Sequence, residues 1–330
     1  MNATLQTRKL SALALPWPVD WTDLFGLERT CILEIGFGSG IFLRHLASAH
    51  PNASIIGLEI SNQSLVKAER AIVRQKLANV RVIHSRAETA LAHLFEPASL
   101  SQVHINFPDP WFKRGHEHRR LMQRDTLDAI VSRMQPGAEL YLATDIFDYA
   151  EMSAELLADT PGLVNLLPSA WASAMPGRVM TKYEARALAE GRSCHYFAYQ
   201  RNDEPAPPVP VVREVPMPHL VFATPLSLDE MRAAFKPFHA HDGAIHVGFM
   251  EAYTGRKALL FEIHVSEPTI EQHTGLMLVP HDAGEYTLQL STLGHPRPTQ
   301  GMQVAVRALG EWLVTLSPGA RLVQASFSGS

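Results

Sequence analysis

Residues 204–218 read EPAPPVPVVREVPMP, and this segment constrains the fold first because it can form neither a helix interior nor a central strand. Each proline fixes φ and removes a backbone donor. Pro205, Pro207, Pro208, Pro210, Pro216 and Pro218 together predict an extended, polyproline-type spacer. The chain therefore divides into a lead-in at 1–29, a first domain at 30–203, the linker at 204–218 and a second domain at 219–330. At 330 residues it is long enough to bury two cores.

Before the spacer, short apolar runs alternate with helical patterns. Cys31–Ile35, Ser54–Ile60, Val80–His84, Gln102–Phe107 and Glu139–Thr144 read as strands; Ile41–Ala49, Gln63–Ala78, Arg119–Met134 and Phe147–Ala158 read as helices. Such alternation predicts an α/β fold, a doubly wound parallel sheet with helices on both faces. After the spacer the pattern changes to helix Leu226–Phe235, strands Ile245–Tyr253, Ala258–Val265, Thr274–Val279 and Glu285–Ser291, helix Thr299–Thr315 and strand Leu322–Phe327. That is a second, smaller α+β domain of consecutive antiparallel strands.

The first strand runs into Gly36-Phe37-Gly38-Ser39-Gly40 and then at once into a helix. Glycines let a ligand approach the main chain, and the helix N-terminus offers unpaired N–H groups. A dinucleotide fingerprint requires GxGxxG, whereas here the third glycine comes one residue early, so a pyrophosphate is disfavoured. Glu34, just before the loop, would repel a diphosphate and attract a cation such as the ammonium or sulfonium of S-adenosylmethionine. Glu59, one βα unit further on, stands where ribose readers sit; a solvated strand-end carboxylate is the plainer alternative.

Asn106–Trp111 reads NFPDPW. Pro108 and Pro110 hold Asp109 in a rigid turn at the end of a buried strand, which either aims its carboxylate or merely terminates the strand. Residues 111–124 read WFKRGHEHRRLMQR, a positive patch in a chain of net charge −4. It is either a solvated helix entry or a nucleic-acid footprint. Phe107, Trp111 and Phe112 are aromatic candidates for stacking on a base or for the core. No apolar run is long enough to cross a bilayer and Met1–Leu10 lacks a continuous apolar stretch, so the expectation is a cytoplasmic protein with no membrane association. Cys31 and Cys194 read as small buried hydrophobes.

Together LEIGFGSG, GLEI, NFPDPWFK followed by HRR, ATD at Ala143–Asp145 and TKYE at Thr181–Glu184 resemble the bacterial tRNA (guanine-N7)-methyltransferase family, in the same order and at similar spacings. Asp23-Leu24-Phe25-Gly26 is similar to that family's lead-in. The resemblance covers roughly residues 20–201 and stops at the linker. It implies a class I S-adenosylmethionine-dependent methyltransferase with a seven-stranded doubly wound sheet, tRNA as partner, and methylation at N7 of the variable-loop guanine, position 46. By the same resemblance Asp109 is the catalytic residue. Glu34, Gly36, Gly38, Gly40, Glu59, Ile60, Arg86, Ala87, Glu88 and Asn106 bind the cofactor. Lys113, Arg119, Arg120, Asp145, Thr181, Lys182, Tyr183 and Glu184 bind substrate. Where the family has Asp or Asn followed by Ala to accept from the adenine amino group, this chain has Arg86-Ala87 with Glu88 next, and arginine cannot accept. Thr181 to Glu184 also fits a helix capping box. Rival readings are a methyltransferase of the same fold with another acceptor, and a noncatalytic RNA-binding protein.

The second domain carries little chemistry. His239, His241 and Asp242 form an HxHD cluster followed by His246, read as a solvated turn, and no metal is expected. Residues 205–330 hold eight Lys and Arg against eleven Asp and Glu. That balance disfavours phosphate binding, leaving a protein-interaction, self-contact or stabilising role.

Overall fold

The computed structural model describes residues 9–111, 115, 120–281 and 284–327. The chain forms two compact units, Met1–Val212 and Arg213–Ser330.

Unit 1 contains strands β1 (Lys9–Ser11), β2 (Cys31–Ile35), β3 (Ser54–Glu59), β4 (Val80–His84), β5 (Leu100–Asn106), β6 (Met134–Thr144), β7 (Leu163–Asn165) and β8 (His195–Arg201). Its helices are α1 (Trp21–Phe25), α2 (Ile41–Ala49), α3 (Asn62–Arg74), α4 (Ala87–His93), α5 (Arg124–Arg133), α6 (Phe147–Ala158) and α7 (Lys182–Ala189). The strands form one sheet in the order β1-β4-β3-β2-β5-β6-β8-β7, parallel except for the antiparallel pairs that β8 makes with β6 and β7. The residue pattern reads as five strands and the family resemblance implies seven; β1 adds an eighth, parallel to β4 at the edge. Its few residues carry no periodicity, and only the exposed flank of β4 gives them a partner.

Both faces of the sheet are covered. Ile32, Ile55, Val80 and Val82 pack with Phe42, Leu43 and Leu46 of α2 and Leu65, Ala68 and Ile72 of α3. The neighbouring Leu33, Ile56 and Ile83 are equally buried and, by strand alternation, point the other way. This explains why β2 reads as an unbroken apolar run apart from Glu34. Register sets the carboxyl ends of the central strands side by side: Ile35 lies opposite Leu58 and Ile105, and Asn106 opposite Ala143. Strand order reverses between β2 and β5, the place where open α/β sheets leave a crevice.

The proline-rich segment has no helix or strand, but its first half is fastened to unit 1 rather than acting as a loose spacer. Arg133, with 0% of its surface exposed, donates to the carbonyls of Leu91, Val209 and Pro210. The Val212 N–H donates to the Ala92 carbonyl at 2.8 Å. Within unit 2, Val215 N–H donates to the Pro298 carbonyl and Gln303 donates to that of Pro216.

Unit 2 contains β9 (His219–Ala223), α8 (Leu228–Ala234), β10 (Phe238–Asp242), β11 (Ile245–Thr254), β12 (Leu259–Glu267), β13 (Ile270–Pro280), β14 (Glu285–Leu290), α9 (Gln300–Thr315) and β15 (Arg321–Ser326). The sheet is antiparallel, ordered β10-β11-β12-β13-β14-β9-β15. α9 buries Met302, Ala305, Val306, Leu309 and Leu313 in one core with Phe222, Phe261 and Leu276. A Cβ built on Gly310 would lie 2.1 Å from Leu220 Cδ2, so a glycine is needed for the helix to sit this close. The HxHD residues lie on edge strand β10 rather than on a turn, with His241 opposite His246. His239, His241, His246 and His264 line an open depression of about 410 Å³. Among the described residues no three or more His, Cys, Asp or Glu are arranged to hold a metal ion, and no helix is long and apolar enough to cross a membrane.

Candidate active site

At the carboxyl end of β2 the chain turns through Gly36, Gly38 and Gly40 at φ of +73°, +52° and +71°. These are left-handed values that a Cβ resists. Gly40 has a second reason to be glycine: it caps α2, and a Cβ there would meet Ala68 Cβ of α3 at 3.0 Å. A Cβ on Gly36 would meet nothing within 4 Å, so the loop's first turn faces open space. The Glu59 carboxylate holds the loop, accepting the Gly38 N–H at 2.9 Å on Oε2 and the Ile60 and Ser61 N–H groups on Oε1. Glu59 is thus a loop anchor at the position from which a ribose would be read. Ile60 is exposed beside it.

Glu34 is 1% exposed. Asn106, at the end of β5, donates to its Oε1 at 3.0 Å, and its Oε2 is buried without a partner. Burial pushes the carboxyl up to about 8, opposed by the Asn106 bond and the positive charge of Arg178 and reinforced by Glu59. An unsatisfied buried carboxylate oxygen costs free energy that a cationic ligand would recover. The donor set, a carboxylate beside an open glycine loop, therefore fits the cationic end of S-adenosylmethionine. Arg86 occupies the N-cap position of α4 without a side-chain capping bond, pairs with Glu88 at 3.5 Å, and precedes the buried Ala87.

After β5 the NFPDPW turn carries left-handed φ at both ends, +53° at Phe107 and +41° at Trp111. Neither residue relaxes into that region unaided; each costs about 1–2 kcal/mol. The bonds that hold the turn include Phe107 N–H to the Ala143 carbonyl at 2.8 Å and Arg120 Nε to the Pro110 carbonyl at 3.1 Å. Asp109 is exposed at its apex. The sequence assigns Arg120 to a tRNA phosphate, but its guanidinium is turned inward onto the turn and toward Met152 Sδ. Phe107 packs with Ala143, Ala187, Cys194 and Tyr196, which is the core alternative for that ring. Phe112, Lys113 and Arg119 lie outside the described residues.

Helix α7 brings the TKYE motif to the same edge. Thr181 and Glu184 form the capping box in both directions. Glu184 is buried and also accepts from Tyr196 Oη at 2.6 Å, so its carboxylate is engaged within the fold. Lys182 and Tyr183 are exposed. A Cβ on Gly38 would sit 3.5 Å from Tyr183 Cε2, which places that ring over the glycine loop.

Two residues not singled out by the sequence fix this helix. Arg178 precedes it and donates to Asn106 Oδ1 at 3.0 Å; Arg192 follows it and pairs with Asp145 at the end of β6 and with Glu190. Asp145 is therefore engaged by an arginine within the chain. The sequence signal for Arg192 is its place just after Gly191, a left-handed glycine past a helix end. Arg178 has only its proximity to TKYE. Cys31 and Cys194 are buried thiols, and burial pushes Cys31 up to about 11, which fits inert core residues.

The family described as "Putative methyltransferase" matches residues 28–197. A tRNA (guanine-N(7)-)-methyltransferase of Thermus thermophilus is 32% identical over 295 residues, 89% of this chain and 92% of that protein. That share extends into unit 2. Enzymes of the same name from Syntrophotalea carbinolica and Paraburkholderia xenovorans are 36% and 39% identical, covering 61% and 56% of this chain and 88% and 71% of theirs. With the doubly wound sheet, the glycine loop over a buried Glu34 and the NFPDPW turn at one edge, the chain belongs to the tRNA (guanine-N7)-methyltransferase family of S-adenosylmethionine-dependent enzymes.

Proposed function

We propose that this chain methylates N7 of the variable-loop guanine of tRNA, position 46, with Asp109 facing the base. The observation that carries this reading is the convergence of Glu34, Asn106, Asp109 and the exposed face of α7 on the carboxyl edge of β2, β5 and β6. S-adenosylmethionine, when bound, supplies an electrophilic methyl group on a sulfonium. Glu34 and the Asn106 amide would hold its cationic end, Gly36, Gly38 and Gly40 would admit it close to the main chain, and Glu59 would turn to its ribose. Glu88 and the Ala87 backbone would serve the adenine, since Arg86 cannot accept from it.

Guanine N7 carries an in-plane lone pair, so no proton has to be removed before attack. The task of the side chains is alignment and electrostatics. An exposed carboxylate at Asp109, held by the strained turn, can accept from the guanine N1–H and N2–H edge and stabilise positive charge arriving on the purine. Lys182 and Tyr183 stand on the same side, and Trp111 offers a ring to replace the stacking that an extruded base loses. Lys113 and Arg119 would hold phosphates, while Arg120 acts on the turn itself. The enzyme is expected in the cytoplasm, with unit 2 in a protein-interaction or stabilising role.

The test is transfer of labelled methyl from S-adenosylmethionine to unmodified tRNA transcripts, followed by nucleoside analysis. The reading requires 7-methylguanosine that disappears when the variable-loop guanine is replaced. Transfer to another nucleoside, or none with donor bound, refutes it.

A further inference from the structure

The side chain of Arg178 is 9% exposed, and its guanidinium lies 4.8 Å from the centre of the Phe42 ring and 5.2 Å from that of Tyr196. Nη2 donates to Asn106 Oδ1 at 3.0 Å and stands 3.7 Å from Glu184 Oε2. Asn106 passes the contact on, donating Nδ2 to Glu34 Oε1 at 3.0 Å. Only one orientation of the amide satisfies both neighbours, because a guanidinium has no acceptor and must face the carbonyl oxygen. The NH₂ group is then obliged to face Glu34. That presents Glu34 with a donor, which an ionised carboxylate accepts; a reversed amide would present an oxygen that suits the protonated acid.

We propose that Arg178 is a positioning residue for the methyl donor: by fixing the Asn106 amide it readies Glu34 as the anion opposite the donor's cationic end, and through Glu184 it ties this to the TKYE helix. The inference rests on the reading that Glu34 faces the donor. Other groups around Glu34 do not replace Arg178. Glu59 on β3 opposes ionisation, and His104, opposite Glu34 on β5, is held neutral because burial pulls it down to about 3. Glu184 and Tyr196 lie beyond the arginine and are bonded to each other. Glu34 itself sits at about 8, so near neutral pH donor binding must expel its proton.

The experiment is calorimetric titration of the full-length protein with S-adenosylmethionine from pH 6 to 9, in two buffers of different ionisation enthalpy, for wild type, Arg178→Gln and Arg178→Lys. Wild type is expected to bind about tenfold more weakly per pH unit below its midpoint and to release close to one proton at pH 7. Arg178→Gln is expected to move that midpoint up by about one unit or more, weakening binding about tenfold at pH 7.5, and Arg178→Lys to restore most of the shift. The donor's own amino group titrates at about 7.7–8.0 but does so equally in every variant, so the difference between proteins is the readout. An unchanged midpoint in Arg178→Gln reduces the residue to a structural role and overturns the proposal. If that variant fails to fold, Arg178→Met is titrated in its place, and an unchanged midpoint there overturns the proposal. Absence of donor binding to wild type at every pH overturns the site reading itself.

Discussion

Gly57 sits in the middle of β3 where no turn requires a glycine, and Gly57→Ala tests how tightly the glycine loop is packed onto the sheet. An added Cβ would lie 2.6 Å from Phe37 Cδ1 and 2.7 and 3.0 Å from the two Cδ atoms of Leu43. Carbon atoms in contact prefer about 3.5–4.0 Å, so two side chains must each retreat by roughly 1 Å. Neither has room: Leu43 is 0% and Phe37 5% exposed. Overpacking of this kind costs about 1–3 kcal/mol, offset by about 0.5–1 kcal/mol because alanine has less freedom to lose on folding. The net is centred near 1 kcal/mol and reaches at most about 2.5 kcal/mol, which for a unit of this size lowers the melting temperature by roughly 2–4 °C at the centre and up to about 10 °C. Phe37 belongs to the donor loop, where its N–H and that of Gly36 both reach the Leu58 carbonyl. Displacing it should therefore also weaken S-adenosylmethionine binding severalfold. Unit 1 holds Trp17, Trp21, Trp111 and Trp171 against Trp312 alone in unit 2, so tryptophan fluorescence follows its melting. A melting temperature within about 1 °C of wild type together with unchanged donor affinity would refute the packing argument.

Asp109→Ala should abolish methyl transfer while leaving the donor dissociation constant within about twofold, whereas Glu59→Ala should weaken donor binding first; near-normal turnover in Asp109→Ala would remove that carboxylate from the mechanism. Glu34 makes the donor-free protein pH-sensitive, because its acid is raised in the folded state from its ordinary 4.5 to about 8 and the folded chain then holds the proton that the unfolded chain has lost. Stability should fall as pH rises through that window, by up to about 1.4 kcal/mol per unit, and Glu34→Gln should melt higher than wild type at pH 8 but alike near pH 4.5 while binding donor poorly. A melting difference independent of pH would count against this. Ending the chain after Asp203 removes the Val209 and Pro210 carbonyls from buried Arg133. Urea denaturation should therefore find that fragment less stable than one ending after Val212, by at least about 2 kcal/mol. Equal midpoints would mean the tail contributes nothing to unit 1.

Much of unit 1 is legible because its elements announce themselves locally. Cys31–Ile35, Val80–His84, Ile41–Ala49 and Phe147–Ala158 have the predicted boundaries, each with the period or unbroken apolarity that burial demands. What escapes is short or depends on a distant partner. The helix Ala87–His93 is too short to show a period, and β7 with three residues exists only by pairing with β8. In unit 2 the alternation of His239 and His241 belongs to an edge strand, yet its charged, turn-like composition reads as a loop.

The sequence alone determined the order of elements, the glycine loop, the turn-bound Asp109 and the family, because each is written in a few contiguous residues whose chemistry leaves little choice. Only the tertiary structure decided what the charged side chains face. Arg120 turns onto Pro110, Arg192 takes Asp145, Glu184 is engaged by its capping box and Tyr196, and Arg178 selects the orientation of Asn106 against Glu34. Arg178 and Asn106 are 72 residues apart, as are Asn106 and Glu34. Nothing in the local pattern of a chain says which buried donor will meet which acceptor, because that pairing is set by sheet register and by the cost of leaving either group unsatisfied.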